Sequence, residues 1–285
     1  MDFTAEYDKL KTLADYRMSR LAASLKGEGK LVSAMKYSLL AGGKRVRFVL
    51  ALAAAKVFGV LEDDIIPFAE AVEVVHTYSL IHDDLPALDN DDFRRGKPSC
   101  HKVYGENFAV IAGDGLLNLA YEILFSAIDT PQKLQAAKKV ANYAGISGMV
   151  GGQAYDLECA NEKSEEYLMK IQSGKTCALI KAPLVAAEIV GGGTGDLMEK
   201  IGEYLGLIFQ FRDDVLDVTG SSEKMGKTLG KDEKENKLTA VSVYGLSGAI
   251  EKIKEYYEKI EYLLEKINNS EFLLRFAKYL TERTV

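Results

Sequence analysis

The residues best suited to chemistry lie in the stretch 76–97, HTYSLIHDDLPALDNDDFRRGK, which places five aspartates close together. Closely spaced carboxylates repel one another unless a cation lies between them, and Mg²⁺ often binds through one or two carboxylates plus substrate phosphates. Arg94 and Arg95 follow directly, and a guanidinium fork matches the remaining phosphate oxygens. The alternative is an acidic, solvated loop after a helix. The five aspartates are Asp83, Asp84, Asp89, Asp91 and Asp92.

A second acidic cluster lies far along the chain, in the segment 209–217, FQFRDDVLD. On a helix of 3.6 residues per turn its polar residues form one stripe at i, i+3, i+4 and i+7. A solvated helix face usually places Lys or Arg three or four residues from its acids, and none stands there. We therefore expect these aspartates to have no partner on the chain and to bind a cation from outside. The stripe consists of Gln210, Asp213, Asp214 and Asp217.

A basic segment, GGKRVR, occupies positions 42–47 between two apolar helical runs. Two glycines let the backbone come close to a ligand, and Lys44, Arg45 and Arg47 beside them suit a diphosphate. A glycine-stopped helix with solvated cations explains the same residues. On the next helix His76 lies seven residues before Asp83, so the two share a face and the imidazole is directed at whatever the carboxylate binds.

The pattern elsewhere is helical almost throughout, which predicts an all-α chain with 1–285 forming a single domain. Strand-like alternation is almost absent, and we find no repeat and no low-complexity tract in the sequence. Glycines at 145–152 predict close helix packing or a kink, and a bend is expected near Lys175 and Thr176. The lysine-rich segment 220–237 is predicted to be a loop that closes over a bound anion or stays on the surface. The predicted helices span 4–25, 31–41, 46–57, 62–84, 102–127, 131–160, 164–190, the run through 209–217, 238–245, 248–267 and 270–283.

Composition narrows the function classes. The net charge is −6 with three histidines, which disfavours nucleic acid as the partner. Three cysteines without CxxC spacing suggest a reduced, cytoplasmic protein. We expect no stable membrane insertion, because the best apolar runs are interrupted by Asp114, Lys181 or Glu188. The sequence also has no Ser–His–Asp nucleophile pattern, no GxxxxGKS loop and no GxGxxG.

The motifs DDLPALD, NDDFRRGKPS and DDVLD, in this order, closely resemble those of the trans-isoprenyl diphosphate synthases, in particular the bacterial farnesyl diphosphate synthases. The resemblance extends over most of the chain, through GGKRVR, GDGLL, GGQAYDL, KTCALI and GKTLGKD. It implies an antiparallel helix bundle around a deep cavity, usually a homodimer. It also implies the 1'-4 condensation of isopentenyl diphosphate with an allylic diphosphate, in which three Mg²⁺ (Mn²⁺ is possible) draw away the allylic diphosphate.

The resemblance also assigns residues to roles. Metal is expected on Asp83, Asp84 and Asp89 from one wall, and on Asp213 and Asp217, with Asp214 beside them, from the other. The allylic diphosphate is assigned to Arg94, Lys175, Lys227 and Lys237. Isopentenyl diphosphate is assigned to Lys44, Arg47, His76 and Arg95. Thr176 and Gln210 match positions beside the carbocation. Two residues depart from the family pattern: Phe48 replaces the usual proline after the basic segment, and Arg212 replaces a neutral residue.

Product length in this family depends on a bulky residue below the first motif. Tyr78 lies five residues before Asp83, about 7.5 Å along a helix axis at 1.5 Å per residue. We therefore expect a C15 product, with geranylgeranyl diphosphate as the alternative product. Tyr78 could also be an ordinary core tyrosine with no effect on product length. A terpene cyclase, a non-catalytic synthase subunit and a Ca²⁺-binding structural protein are the competing hypotheses. The cyclase would not need isopentenyl diphosphate, the subunit would lack an Asp-rich motif, and the Ca²⁺ protein would show a 12-residue loop.

Overall fold

In a computed structural model, described over residues 2–158, 164–220 and 237–283, the chain folds into a layered bundle of helices. The first half contains α1 (Phe3–Ser24), α2 (Lys30–Leu39), α3 (Val46–Phe58), α4 (Glu62–Asp83), α5 (Cys100–Tyr104), α6 (Glu106–Ser126) and α7 (Pro131–Ala144). The second half contains α8 (Met149–Glu158), α9 (Glu165–Gln172), α10 (Ala178–Val190), α11 (Asp196–Thr219), α12 (Ala240–Leu264) and α13 (Glu271–Glu282). The expected all-α class is confirmed.

The centre of the bundle is made of α3, α4 and α10, which pack against one another. Helices that are apolar on all sides belong inside a core, and α3 and α10 are buried over most of their length. α6 packs on α4, and α7 and α11 pack on α10. α12 and α13 then cover α11. The two acidic clusters lie at the C-terminal ends of α4 and α11.

Three local features depart from the expected pattern. The run 102–127 is broken at Gly105 into α5 and α6, and the run 131–160 is broken after Ala144 into α7 and α8. A two-stranded hairpin, β1 (Phe93–Arg94) with β2 (Lys97–Pro98), follows the first acidic cluster. Its turn residues Arg95 and Gly96 both have positive φ, as a two-residue hairpin turn of this kind requires.

The bend expected near Lys175 is a π-helix, Ser173–Cys177, between α9 and α10. Single π turns inside α-helices occur frequently at functional sites. Close packing at the glycines is confirmed here, because a side chain on Gly152 of α8 would collide with the backbone of Gly174 and Lys175. The glycine contact brings α8 directly against the π-helix.

The sequence predicted that charged residues interrupt every apolar run too early for a membrane span, and α6 does not fit this prediction. Glu106–Ser126 is long and apolar enough for one by length and composition, and a third of its most apolar window is buried. Val110, Ile111 and Phe125 are among its exposed side chains. Its most apolar stretch contains two charged residues, Asp114 and Glu122, which are too few to break the pattern.

Candidate active site

In the first acidic cluster the two adjacent aspartates have different surroundings. Asp84 is buried at 2% exposure, and Arg94 from the hairpin donates to its Oδ1 through both Nε (2.8 Å) and Nη2. Arg94 Nη2 also lies 3.2 Å from Asp91 Oδ2. Burial raises the pKa of Asp84, and the hydrogen bonds from Arg94 oppose the rise. Asp84 thus ties the hairpin to the end of α4.

Asp83 and Asp89 form the more open part of this cluster. The Asp89 backbone N–H donates to the Asp83 carbonyl at 2.9 Å, so the intervening turn holds the two residues together. Burial raises the pKa of Asp83 to about 6, the charges of Asp89 and Asp84 add to the rise, and Lys175 and Arg94 oppose it. Lys237 Nζ lies 3.5 Å from Asp89 Oδ1. These carboxylates therefore already attract cations from distant parts of the chain.

In the second cluster the expectation that the aspartates have no partner on the chain is wrong. Arg283 Nη2 donates to Asp213 Oδ1 at 2.5 Å and to the Phe209 carbonyl at 2.9 Å. Asp214 is buried, accepting from the Ala240 backbone N–H at 2.7 Å and from Gln210 Nε2 at 2.9 Å. Both partners outside α11 are more than 25 residues away in sequence, beyond the range that a helix pattern tests. Asp213 remains 42% exposed at its side chain.

The π-helix connects the two clusters. Lys175 affects the pKa of Asp83 and forms an ion pair with Asp156 of α8 at 2.5 Å. Its neighbour Thr176 donates to Gln210 Oε1 at 3.1 Å. One turn therefore contacts Gln210 on α11 and carries a cation whose charge reaches Asp83 at the end of α4. Asp156, in the GGQAYDL motif, had no assigned role from the sequence.

The basic residues gather at the start of α3 and the hairpin turn. Arg95 Nη1 donates to the Gly42 carbonyl, and its guanidinium lies flat against Gly43, where a Cβ would come within 2.6 Å of Arg95 Cζ. Gly43 also has φ +125°, a conformation that side chains disfavour. Gly43 is therefore required by the approach of Arg95, whose bond to the Gly42 carbonyl joins the GGKRVR segment to the hairpin.

Arg47 and His76 complete this basic group. Arg47 Nε is buried and has no hydrogen-bond partner within the part of the chain that the structure describes. Burial lowers the pKa of Arg47 to about 10. Burial also lowers the pKa of His76 well below its usual value, and the nearby charge of Arg47 adds to this effect. The group therefore offers guanidinium donors and a neutral imidazole to an anion. Lys44 is exposed at its edge, and Lys227 lies outside the described residues.

The charge distribution of the site fits a divalent cation bound together with a phosphate ligand. Among residues 2–158, 164–220 and 237–283, no three His, Cys, Asp or Glu side chains lie close enough to hold a metal by themselves. Mg²⁺ does not need such a set, since it usually binds one or two carboxylates plus substrate phosphates. The raised pKa of Asp83 marks a place where added positive charge would be stabilised. The metal ligands named above stay predictions.

Tyr78 is buried at 6% exposure on α4. Its ring meets that of His82 edge-on at 5.8 Å, and His82 Nε2 lies 3.0 Å from the Val110 carbonyl of α6. Burial raises the pKa of Tyr78 to about 12, with Tyr121 of α6 contributing. Tyr78 thus fills the space between α4 and α6, about one and a half helical turns below Asp83.

Comparison with known proteins settles the family. The profile of the polyprenyl synthetase family matches residues 28–271. The chain belongs to the polyprenyl synthetase family. It is 42% identical to the farnesyl diphosphate synthase of Geobacillus stearothermophilus over 260 residues, which covers 87% of this chain and 86% of that protein. It is 46% identical to the large subunit 1 of the heterodimeric geranylgeranyl pyrophosphate synthase of Arabidopsis thaliana, over 84% of this chain and 67% of that protein.

Solved structures agree with this assignment to the polyprenyl synthetases. A geranyltransferase from Legionella pneumophila superposes with a TM-score of 0.86 at 31% identity, covering 99% of this chain and 98% of its own. The geranyltranstransferase of Thermotoga maritima gives 0.81 at 34% identity, covering 97% and 96%. The isoprenoid synthase fold expected from the motifs is confirmed. As a polyprenyl synthetase, the protein is a short-chain trans-prenyltransferase of a family that depends on divalent metal and joins isopentenyl to allylic diphosphates.

Proposed function

We propose that the protein is a farnesyl diphosphate synthase, adding isopentenyl diphosphate to dimethylallyl and then geranyl diphosphate. The observation that carries the condensation is the separation of two charged regions along α4. His76, with Arg47 and Arg95 beside it, forms one region, and Asp83 with Lys175 forms the other, two helical turns away. Two diphosphates can therefore bind at once, each to its own cations.

The acceptor region, formed by Arg47, Arg95 and His76, suits isopentenyl diphosphate. This substrate keeps its diphosphate during the condensation and so needs no metal to draw the diphosphate away. Arg47 offers a donor that has no partner among the residues the structure describes, Arg95 is fixed by its bond to Gly42, and His76 is neutral. Lys44 borders the group at the solvent edge. These residues hold the diphosphate while the double bond faces the allylic carbon.

The donor region suits the allylic diphosphate. Asp83, Asp89, Asp213 and Asp217 would hold Mg²⁺, which would supply positive charge to the departing diphosphate oxygens. Asp84, the fifth predicted ligand, orients Arg94 toward the same oxygens. Lys175 and Lys237 add further cations, and Lys227 is assigned to this group by its motif alone. Gln210 and Thr176, bonded to each other, present polar oxygens next to the developing carbocation.

The product length is supported by the bulk of Tyr78, which closes the space between α4 and α6. Replacing Tyr78 with Ala should shift the main product from C15 to C20, measured by mass spectrometry after incubation with dimethylallyl and isopentenyl diphosphates. Tyr143→Ala is the matched control, because Tyr143 is a buried tyrosine on α7, away from both charged regions. An unchanged product in Tyr78→Ala would exclude Tyr78 as the chain-length residue.

Geranylgeranyl diphosphate synthesis is the second candidate, since several relatives carry that name at 44–46% identity. The same incubation distinguishes the two, because a C20 main product from the unaltered enzyme would overturn the farnesyl assignment. A cyclase would consume an allylic diphosphate without isopentenyl diphosphate, and an inactive subunit would give no product with Mg²⁺ present. Product formed with Mg²⁺ and abolished by EDTA supports the condensation.

We also propose that the enzyme is a cytoplasmic homodimer in which a second copy covers α6. Its exposed Val110, Ile111 and Phe125 suit a protein interface better than water. Light scattering after size exclusion should give twice the chain mass, and Ile111→Glu should give the mass of one chain. We further propose that the protein does not insert into membranes. Sedimentation of the unaltered protein together with lipid vesicles would contradict this proposal.

A further inference from the structure

The inference concerns Glu73, a residue of α4 that the motifs leave unassigned. It lies one turn before His76 and its side chain is 2% exposed. Ionised carboxylates are almost never fully buried unless they are paired. A buried glutamate on a helix otherwise rich in Val and Ala therefore has a specific partner.

Glu73 has two partners, and both belong to the GGKRVR segment. Its Oε1 accepts from the Phe48 backbone N–H at 3.2 Å, and its Oε2 lies 3.6 Å from Arg45 Nη1. Phe48 is the third residue of α3, and the first amides of a helix have no acceptor within the helix. The residue before α3, Arg45, makes no side-chain cap. Glu73 thus acts as the cap of α3 from a different helix.

Arg45 is the second fixed point of the segment. It is buried in the left-handed region at φ 52°, where non-glycine residues are uncommon. Its Nε donates to Asp15 of α1 at 2.9 Å, and its Nη2 donates to the Leu39 carbonyl at the end of α2 at 3.0 Å. Arg45 therefore points away from the diphosphate region and anchors the segment to α1 and α2, with Glu73 completing the anchor from α4.

Between these fixed points lies Arg47, whose buried Nε has no partner within the described residues. A long cationic side chain keeps such an orientation only when its backbone is held, because each ordered rotamer costs conformational entropy. The negative charge of Glu73 also opposes the effect of burial on the pKa of Arg47 and of Arg95. It therefore offsets part of the repulsion between Arg47 and Arg95, which lowers the pKa of Arg47.

We propose that Glu73 is a positioning residue for the isopentenyl diphosphate region: it caps α3 and pairs with Arg45 so that Arg47 is held toward the diphosphate. The inference rests on the proposed function of that region. It does not make Glu73 a ligand, since the carboxylate would repel a diphosphate. The proposal predicts that substitutions of Glu73 weaken the binding of isopentenyl diphosphate and leave the binding of geranyl diphosphate unchanged.

The test compares Glu73→Gln and Glu73→Leu with Glu70→Gln. Glu70 is the matched control, a buried glutamate one turn earlier on α4 that pairs with Arg17 of α1 at 2.7 Å rather than with the GGKRVR segment. Glu73→Leu should raise the KM for isopentenyl diphosphate about tenfold, as expected for loss of a hydrogen bond to a charged group. Glu73→Gln, which keeps the acceptor for Phe48, should raise it about threefold.

The KM for geranyl diphosphate should stay within about twofold in all variants, and Glu70→Gln should lower the melting temperature without a selective change in either KM. The inference is overturned if the Glu73 variants lose only thermal stability, or if both KM values rise together. If the proposed function is wrong, the unaltered enzyme itself will show no turnover that depends on isopentenyl diphosphate. That result would also overturn the inference about Glu73, and it is distinguishable from a defect found only in the variants.

Discussion

The two acidic clusters each contain a buried aspartate, but the group that pairs with this aspartate differs between them. In each, two aspartates are adjacent in sequence, and neighbours on a helix point about 100° apart. The second of each pair, Asp84 and Asp214, is buried and bonded within the protein. The first, Asp83 and Asp213, is more exposed. Asp84 is paired with a charged side chain, Arg94, whereas Asp214 is paired with a helix amide, Ala240 N–H.

This difference teaches what a DD pair does in such a site. In our proposal the first carboxylate binds the ligand, while the second fixes the element that follows: the hairpin after α4 or α12 after α11. The following predictions test that division, from the largest effect to the smallest.

Asp83→Asn and Asp213→Asn should each lower kcat/KM by about 10²–10³-fold, because each removes a charge that we propose binds the metal. Steady-state assays at several Mg²⁺ concentrations measure the effect. Both variants should keep the melting temperature of the unaltered enzyme within a few degrees. A loss of folding with normal kcat/KM in the folded fraction would reverse the roles assigned to the pairs.

Asp214→Ala should lower the free energy of unfolding by about 1–3 kcal/mol, because the buried Ala240 N–H loses its acceptor. Urea titration followed by circular dichroism measures it. Asp217→Ala is the control on the same helix face, and Asp217 is not fully buried. Equal stability of the two variants would show that Asp214 does not hold α12.

Arg283→Gln should lower the free energy of unfolding by about 1–2 kcal/mol, since Arg283 bonds Asp213 and the Phe209 carbonyl and stacks on the Phe209 ring. Thermal melts with and without Mg²⁺ and inorganic diphosphate measure it. Arg275→Gln on the exposed face of α13 is the comparison. If both substitutions have the same effect, the contact between Arg283 and α11 is not stabilising.

The pH dependence of stability tests Asp83 in the metal-free enzyme. Its pKa is raised from about 4 in the unfolded chain to about 6 in the folded chain. Its contribution to stability is therefore fully present below pH 4 and is lost as the pH rises through 6. In EDTA, Asp83→Asn should be more stable than the unaltered enzyme at pH 7.5 by about 1–2 kcal/mol, with the difference shrinking toward pH 4. A difference independent of pH would contradict the raised pKa.

The fold and the site residues differ in how far the sequence revealed them. Apolar periodicity placed α4 to within a residue and identified a helix at the second cluster without its bounds, because periodicity is local information. The partners of the second cluster could not be found in this way. Arg283 and Ala240 are distant in sequence, and only packing brings them to α11. Glu73 did leave a signal, an acidic residue in the apolar run EAVEVV, but its partner Phe48 N–H is a backbone group that no side-chain pattern reports.

The hairpin and the chain breaks were missed for a related reason. β1 and β2 have two residues each, too short for alternation to be recognised. Gly105 looked like a glycine inside a long helix. The glycines at 145–152 predicted close packing or a kink, but only the positions of neighbouring helices decide that the chain turns at Gly145.

The π-helix at Ser173–Cys177 has a consequence for how this site can change. Its hydrogen bonds enclose one residue more than those of an α turn, so α9 and α10 are joined out of phase. Deleting any one residue of the five would restore an ordinary helix and rotate everything upstream by about 100° relative to α10. Lys175 and Thr176 could not then both keep their neighbours. Mutant libraries designed to alter substrate specificity should therefore vary the side chains of this π-helix and keep its number of residues.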